Sequence, residues 1–119
     1  MSEHTVSGAA WLMSDGRVLA SAEIATSRRD RRRGLIGRRS FSGALVLAPC
    51  SWVHTIGMSF PLDVAYLDRD GVVIKTVQMD RFRVGAPIPR ARSVVEAERG
   101  AFARWGLRVG DRLEIREPS

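Results

Sequence analysis

Turn signals interrupt this chain so often that only short strands and one- or two-turn helices fit between them. Ser14-Asp15-Gly16, Gly37, Gly43, Pro49, Pro61, Asp68-Arg69-Asp70-Gly71, Gly100, Gly106 and Gly110 punctuate the sequence. Punctuation at roughly eight-to-twelve-residue spacing is the pattern of small all-β domains. The apolar runs in between are mostly four to eight residues long, the length of buried strands. None approaches the roughly 18 residues needed to span a bilayer as a helix. A chain of 119 residues with 45% hydrophobic content fits a single domain over residues 1–119 with a core of its own.

Read in order, residues 9–13 and 17–25 form a hairpin around Ser14-Asp15-Gly16. Ser27 stands three residues before Asp30, a capping spacing that opens a short helix over 28–36 and closes it at Gly37. Residues 44–48 read as a strand buried on both faces and ended by Pro49. The clearest unit is the hairpin 62–79, two apolar runs joined at Asp68-Arg69-Asp70-Gly71. Residues 80–92 carry three breakers and no periodicity, so they form a long loop whose Phe82, Val84 and Ile88 are available to close one end of the core. A strand over 93–97, a short helix with Ala101, Phe102 and Trp105 on one face, and a last alternating strand over 112–116 complete the chain. The expected fold is mainly β: a small antiparallel barrel or sandwich of six to seven short strands with two short helices. No strand, glycine-rich turn and helix follow one another as a dinucleotide site requires.

The net charge of +6 sits in one place. Arg28, Arg29, Arg31, Arg32, Arg33, Arg38 and Arg39 stand against Asp30 alone, and the rest of the chain is balanced. Seven guanidinium groups are able to bind phosphate, so nucleic acid or another acidic surface is one partner to consider. No aromatic side chains are interleaved for base stacking, and no reading motif surrounds the run, which favours a solvated helix face instead. Eighteen of the nineteen basic residues are arginine, a bias of the whole chain.

Chemistry concentrates in residues 50–67. If residues 50–60 are extended, the even positions Cys50, Trp52, His54, Ile56, Met58 and Phe60 share one face, expected to be the core face. Pro61 then resets the register and places Asp63 at the start of a buried strand. Cys50, His54 and Asp63 have the residue types of an acyl-transfer kit: a thiol, a base for it and an acid to orient the base. The plainer reading makes Cys50 a small hydrophobe, His54 a hydrogen-bonded core residue and Asp63 a cap for backbone N–H groups at the kink. Cys50, His54 and Met58 are soft ligands, but their spacing is helical and the segment resists a helix, so no metal is expected. One cysteine and two histidines are too few for a structural zinc, and no cofactor is expected. Glu96 is a lone acid between Val95 and Ala97, able to add a carboxylate to a site if it points inward.

The string Cys50-x-x-Val53-His54-Thr55-x-x-Met58-x-Phe60-Pro61-Leu62-Asp63-Val64-x-Tyr66-Leu67-Asp68-x-x-Gly71 closely resembles the family known as domain of unknown function 192. Upstream, Arg33-Gly34-Leu35-Ile36-Gly37-Arg38 is similar to that family's R-G-L-M-x-R segment. Downstream, Val94-Val95-Glu96, Gly100 and Val109-Gly110-Asp111-Arg112-Leu113 are similar to its closing elements, so the likeness spans about residues 16–116. The resemblance implies a compact β-rich domain with one or two short helices, brings no established enzymatic activity that transfers to this chain, and singles out His54, Met58 and Asp63 as motif positions. Part of the family has an export leader; residues 1–8 have neither a basic flank nor an apolar core, and with a single cysteine the expected location is the cytoplasm.

The expected function is a module that binds a small molecule or a protein, through a site beside His54 and Asp63 that includes Thr55, Met58 and Glu96 and is roofed by the loop 80–92. The alternatives are a hydrolase or transferase using Cys50 and His54, and nucleic-acid binding through the arginine run.

Overall fold

The computed structural model describes residues 10–117. The reading of residues 1–8 as free of a leader, and Ala9 at the head of the first expected strand, lie outside the described residues. Among the described residues, the strands are β1 (Ala10–Ser14), β2 (Arg17–Ala25), β3 (Ala44–Leu47), β4 (Leu62–Leu67), β5 (Val73–Met79), β6 (Ser93–Glu98) and β7 (Leu113–Arg116). Two short helices, α1 (Arg28–Arg33) and α2 (Ala101–Trp105), lie between them. The seven strands form one sheet in the order β5-β4-β6-β3-β2-β1-β7, curled into a half-barrel. The mainly β fold with two short helices is the one the turn spacing predicts. Only β2 and β3 pair in parallel; a parallel return needs a crossover, which α1 and the coil after it supply.

The curl nearly closes. The two edge strands, β5 and β7, meet at one end, where Val72 bridges Arg112 and the Leu113 N–H donates to the Gly71 carbonyl at 2.8 Å. Gly71 has φ +81, and a Cβ there would lie 2.7 Å from the Leu113 carbonyl oxygen. Gly71→Ala is therefore expected to lower stability by about 2 kcal/mol, from left-handed backbone strain and the forced retreat of β7. Urea denaturation measures this; an unchanged midpoint would mean that the β5–β7 seam does not hold the curl.

The sheet has apolar side chains on both faces, because β3, β4 and β6 are buried throughout apart from the ends of β6. Ala65, Leu67, Val95 and Ala97 join one core with Phe102 and Leu107, where small alanines let α2 lie close. Leu62, Val64, Tyr66 and Val94 join the other core with Leu35, Val53, Met58 and Phe60. Strand alternation thus assigns every residue of β4 and β6 to a face. Asp63 shares the α2 face, and Glu96 shares the face of Val94.

Two local expectations need correction. The first helix ends at Arg33, not Ile36: Gly34 leaves it at φ 53 and ψ −127, with its N–H donating to the Asp30 carbonyl. The Ser27 hydroxyl accepts from the Asp30 N–H at 3.1 Å, as the capping spacing predicts. Residues 50–60 form no strand beyond a single bridge between His54 and Val84. Their even positions do not form a core face, since Trp52 and Ile56 are exposed while odd-numbered Val53 and Thr55 are buried. The segment is laced instead to the loop 80–92, through Thr55 N–H to the Arg83 carbonyl, Gly85 N–H to the Val53 carbonyl and Ile88 N–H to the Ser51 carbonyl. This ribbon turns Val53 and Thr55 inward. Gly57, at φ +87, then breaks the alternation so that Met58 and Phe60 also go in.

Candidate functional site

A cavity of about 250 Å³ opens between α1 and residues 49–54, floored by β3 and β6. Its walls are Leu35, Leu47, Val53 and Met58, and its floor carries Glu96. Arg28, Arg31, Arg32 and Arg33 line it from α1, while Cys50, Trp52 and His54 line the facing side. It combines apolar walls, one buried carboxyl and a cationic side, a mixture suited to a small ligand with distinct ends.

Glu96 is the chemical centre. Its neighbours Val95 and Ala97 belong to the other face, and the register pairs it with Leu45 and Val64. The side chain is 3% exposed, and burial pushes its carboxyl up to about 7, against a smaller opposing pull from the Leu35 backbone N–H. Oε1 has no hydrogen-bond partner among the described residues. Gly34 makes this placement possible, because a Cβ there would sit 2.8 Å from Oε1. The Arg33-Gly34-Leu35 segment therefore has a physical role: the glycine admits the carboxyl and the next N–H steadies it.

His54 is half-buried, and its Nδ1 accepts the Ile56 N–H at 3.2 Å. In the neutral ring this leaves the proton on Nε2. Trp52 lies beside it with ring centroids 5.4 Å apart, fixed by its indole N–H donating to the Gly85 carbonyl at 2.7 Å. The Cys50 thiol donates to the Trp52 carbonyl at 3.2 Å. Burial raises its pKa and the Glu96 charge adds to the rise, while a hydrogen bond from the Trp52 backbone and the Arg31 charge oppose it. Cys50 and His54 thus find separate partners, and the thiol stays protonated near neutrality. Alkylation of folded protein by iodoacetamide at pH 7 is expected to run about tenfold or more slower than in urea, because the thiolate is the nucleophile. Equal rates would restore Cys50 as a reactive thiol.

Of the expected ligand-binding set, His54, Met58 and Glu96 meet at the cavity, whereas Thr55 and Asp63 do not line it. Thr55 is fully buried and its hydroxyl donates to the Asp80 carbonyl at 2.6 Å and accepts from the Arg83 N–H at 2.8 Å, pinning the loop. Asp63 lies on the opposite face of the sheet, where Oδ2 accepts from the Gly100 N–H at 3.0 Å and the Phe102 N–H at 3.1 Å. It caps the start of α2, which has no side-chain cap of its own, and is not the orienter of His54. No residue of the loop 80–92 lines this cavity; the loop borders a separate hollow of about 280 Å³ with Tyr66 and Met79. The arginine run also divides. Arg38 forms a two-point ion pair with Glu23 and stacks over Phe41, while Arg29 and Arg39 are exposed and lie outside the cavity. Among the described residues, no group of three or more His, Cys, Asp and Glu is placed to hold a metal ion.

A family model matches residues 10–115, nearly the whole chain; it is that of DUF192, described as an uncharacterized ACR. The chain belongs to the DUF192 family. No curated protein matches it. Among solved structures, a protein of unknown function from Novosphingobium aromaticivorans is 18% identical, with a TM-score of 0.74 over 89% of this chain and 83% of that one. A Sinorhizobium meliloti protein, described as a "putative transcription regulator", is 22% identical, with a TM-score of 0.78 over 96% of this chain and 97% of that one. At these identities the likeness is one of fold.

Within this DUF192 chain, sequence reasoning left Trp52, Leu35 and the α1 arginines out of the ligand site. The arginines and the R-G-L segment carried a usable signal: a helix ending in an obligatory glycine must bring its last turn against whatever that glycine abuts.

Proposed function

We propose that this DUF192 protein is a small-ligand-binding module and that its site is the cavity over Glu96. The observation that carries this reading is a buried carboxyl on the lining of an arginine-lined cavity, whose Oε1 has no hydrogen-bond partner among the described residues. Burying such a group without a partner is costly, and a ligand donor would relieve that cost. The ligand class that fits is a small organic anion: its charge meets the guanidinium groups, its apolar body lies among Leu35, Leu47 and Met58, and a hydroxyl or amine at its far end reaches Glu96. The volume, about 250 Å³, suits a molecule smaller than a typical drug. A single free cysteine suits a reducing compartment, and we place the protein in the cytoplasm. The acyl-transfer alternative is weaker, because Cys50 donates its proton to a backbone carbonyl and keeps it.

The test uses 4-hydroxybenzoate, ribose 5-phosphate and 2-hydroxyisocaproate as probes in amide-resolved NMR titrations. At least one is expected to shift the Leu35 amide and the Trp52 indole saturably, with a Kd of about 1 mM or tighter. Glu96→Leu is expected to abolish that shift. Binding should also be stronger at pH 6 than at pH 8, because above about 7 the ionised Glu96 repels an anion. No saturable shift at Leu35 from any of the three would overturn the reading.

A further inference from the structure

The ribbon that laces residues 52–56 to residues 82–85 also gathers large apolar side chains at the surface. Trp52, Ile56, Phe82 and Val84 are 43–61% exposed. They come from segments far apart in sequence, brought together by the His54–Val84 bridge and the Phe82 N–H to Thr55 carbonyl hydrogen bond at 3.0 Å. Phe82 is held at φ 59, a left-handed conformation that bulky residues rarely adopt, with its ring left in water. Grouped exposed apolar side chains of this size mark a surface that meets another one.

The charges beside the patch point to what that other surface is. The Arg81 guanidinium lies 5.0 Å above the Phe82 ring, and Arg31, Arg32 and Arg33 line the cavity across from Trp52 and His54. Apolar tips flanked by guanidinium groups complement a bilayer whose headgroups carry negative charge. Trp and Arg are both at home at the headgroup level, the one for its amphipathic ring and the other for its long apolar stem and charged head. A single-stranded nucleic acid would also meet arginines and rings, but Ile56 and Val84 have no π-face on which a base could stack. Hydrocarbon rewards all four side chains.

We propose that this ribbon is a membrane-docking edge: Trp52, Ile56, Phe82 and Val84 enter the headgroup boundary of an anionic bilayer while Arg81 and the α1 arginines hold lipid phosphates. Docking is peripheral, as no helix among the described residues is long and apolar enough to cross a membrane. Ile56, Phe82, Val84 and Arg81 lie outside the cavity and carry the docking without it, whereas Trp52 and the α1 arginines are shared with its lining.

The test is flotation of the full chain with vesicles of phosphatidylcholine alone and with phosphatidylglycerol added to about one-third. Partitioning is expected to rise about tenfold or more with the anionic lipid and to fall as salt is raised. Ile56→Ser combined with Phe82→Ser should remove most of it, with an unchanged circular dichroism melt because both side chains are exposed. If that double variant unfolds, Ile56→Ser alone is used, together with quenching of Trp52 by brominated lipid, read as the part of the quench lost in Trp52→Phe. Equal binding to both vesicle types, binding that survives loss of the apolar tips, no Trp52 quench, or capture of a poly-dT oligonucleotide without any vesicle binding would overturn the proposal. So would a dimer in solution that the same substitutions dissolve.

Discussion

Glu96→Gln is expected to make the protein more stable at pH 8, by about 2 kcal/mol, and to flatten its pH dependence between about 4.5 and 7. The sign follows from the raised carboxyl. In the folded protein Glu96 keeps its proton up to about pH 7, whereas an exposed glutamate loses it near 4.5. Between those values the folded state binds more protons than the unfolded chain, so stability falls as pH rises through the window and levels off above it. A shift of this size corresponds to about 3 kcal/mol. Part of it returns in the glutamine variant, whose neutral amide escapes the ionisation cost but remains a buried polar group. Urea denaturation of both proteins from pH 4.5 to 8.5 is the check. Parallel profiles would mean that Glu96 titrates as an exposed acid, and the floor of the cavity would have to be redrawn.

Asp63→Ala is expected to cost about 3 kcal/mol, because one carboxylate oxygen satisfies two backbone donors and the substitution strands both. The Phe102 N–H is buried, so water does not readily replace the lost acceptor. α2 has only five residues and takes its N-terminal support from this neighbouring strand. Asp63→Asn retains an acceptor oxygen and should recover about half of the loss. Neither variant should change probe binding in the cavity, as Asp63 lies across the sheet from it. A loss of probe affinity in Asp63→Asn without a loss of stability would return Asp63 to the site.

These two acids show which features were legible in the sequence. For Asp63, the plainer sequence reading already contained the right role, a cap for backbone N–H groups. What it lacked was the location, because the capped groups lie at residues 100 and 102, on a helix that strand pairing alone brings near. Glu96 was legible as an acid in a strand, and alternation leaves only two directions for it. The choice between them depends on Gly34 standing clear of its carboxyl, a contact between segments far apart in sequence. The hairpin turns, the Ser27 cap and the buried β3 were legible because each is a local matter of φ, hydrogen bonding or an unbroken apolar run. Residues 50–60 misled for the opposite reason. Their even and odd positions do separate, but which side is inner was settled by the hydrogen bonds to residues 83–88. Those bonds turned Trp52 and Ile56 outward and buried Val53 and Thr55. The arginine run reads in sequence as one patch. Gly34 ends the helix early, and with that break part of the run faces the cavity while Arg38 goes to Glu23.

The central claim is that Glu96 is a buried, ligand-facing carboxyl. Its most direct test is a carbon-13 NMR titration of the Glu96 side-chain carboxyl, assigned by its loss in Glu96→Gln, with and without whichever of the three probes shifts the Leu35 amide. The account predicts a midpoint near 7 in the free protein, and a midpoint that moves when the probe binds. A midpoint in the ordinary carboxylate range, unmoved by the probe at saturating concentration, would contradict it.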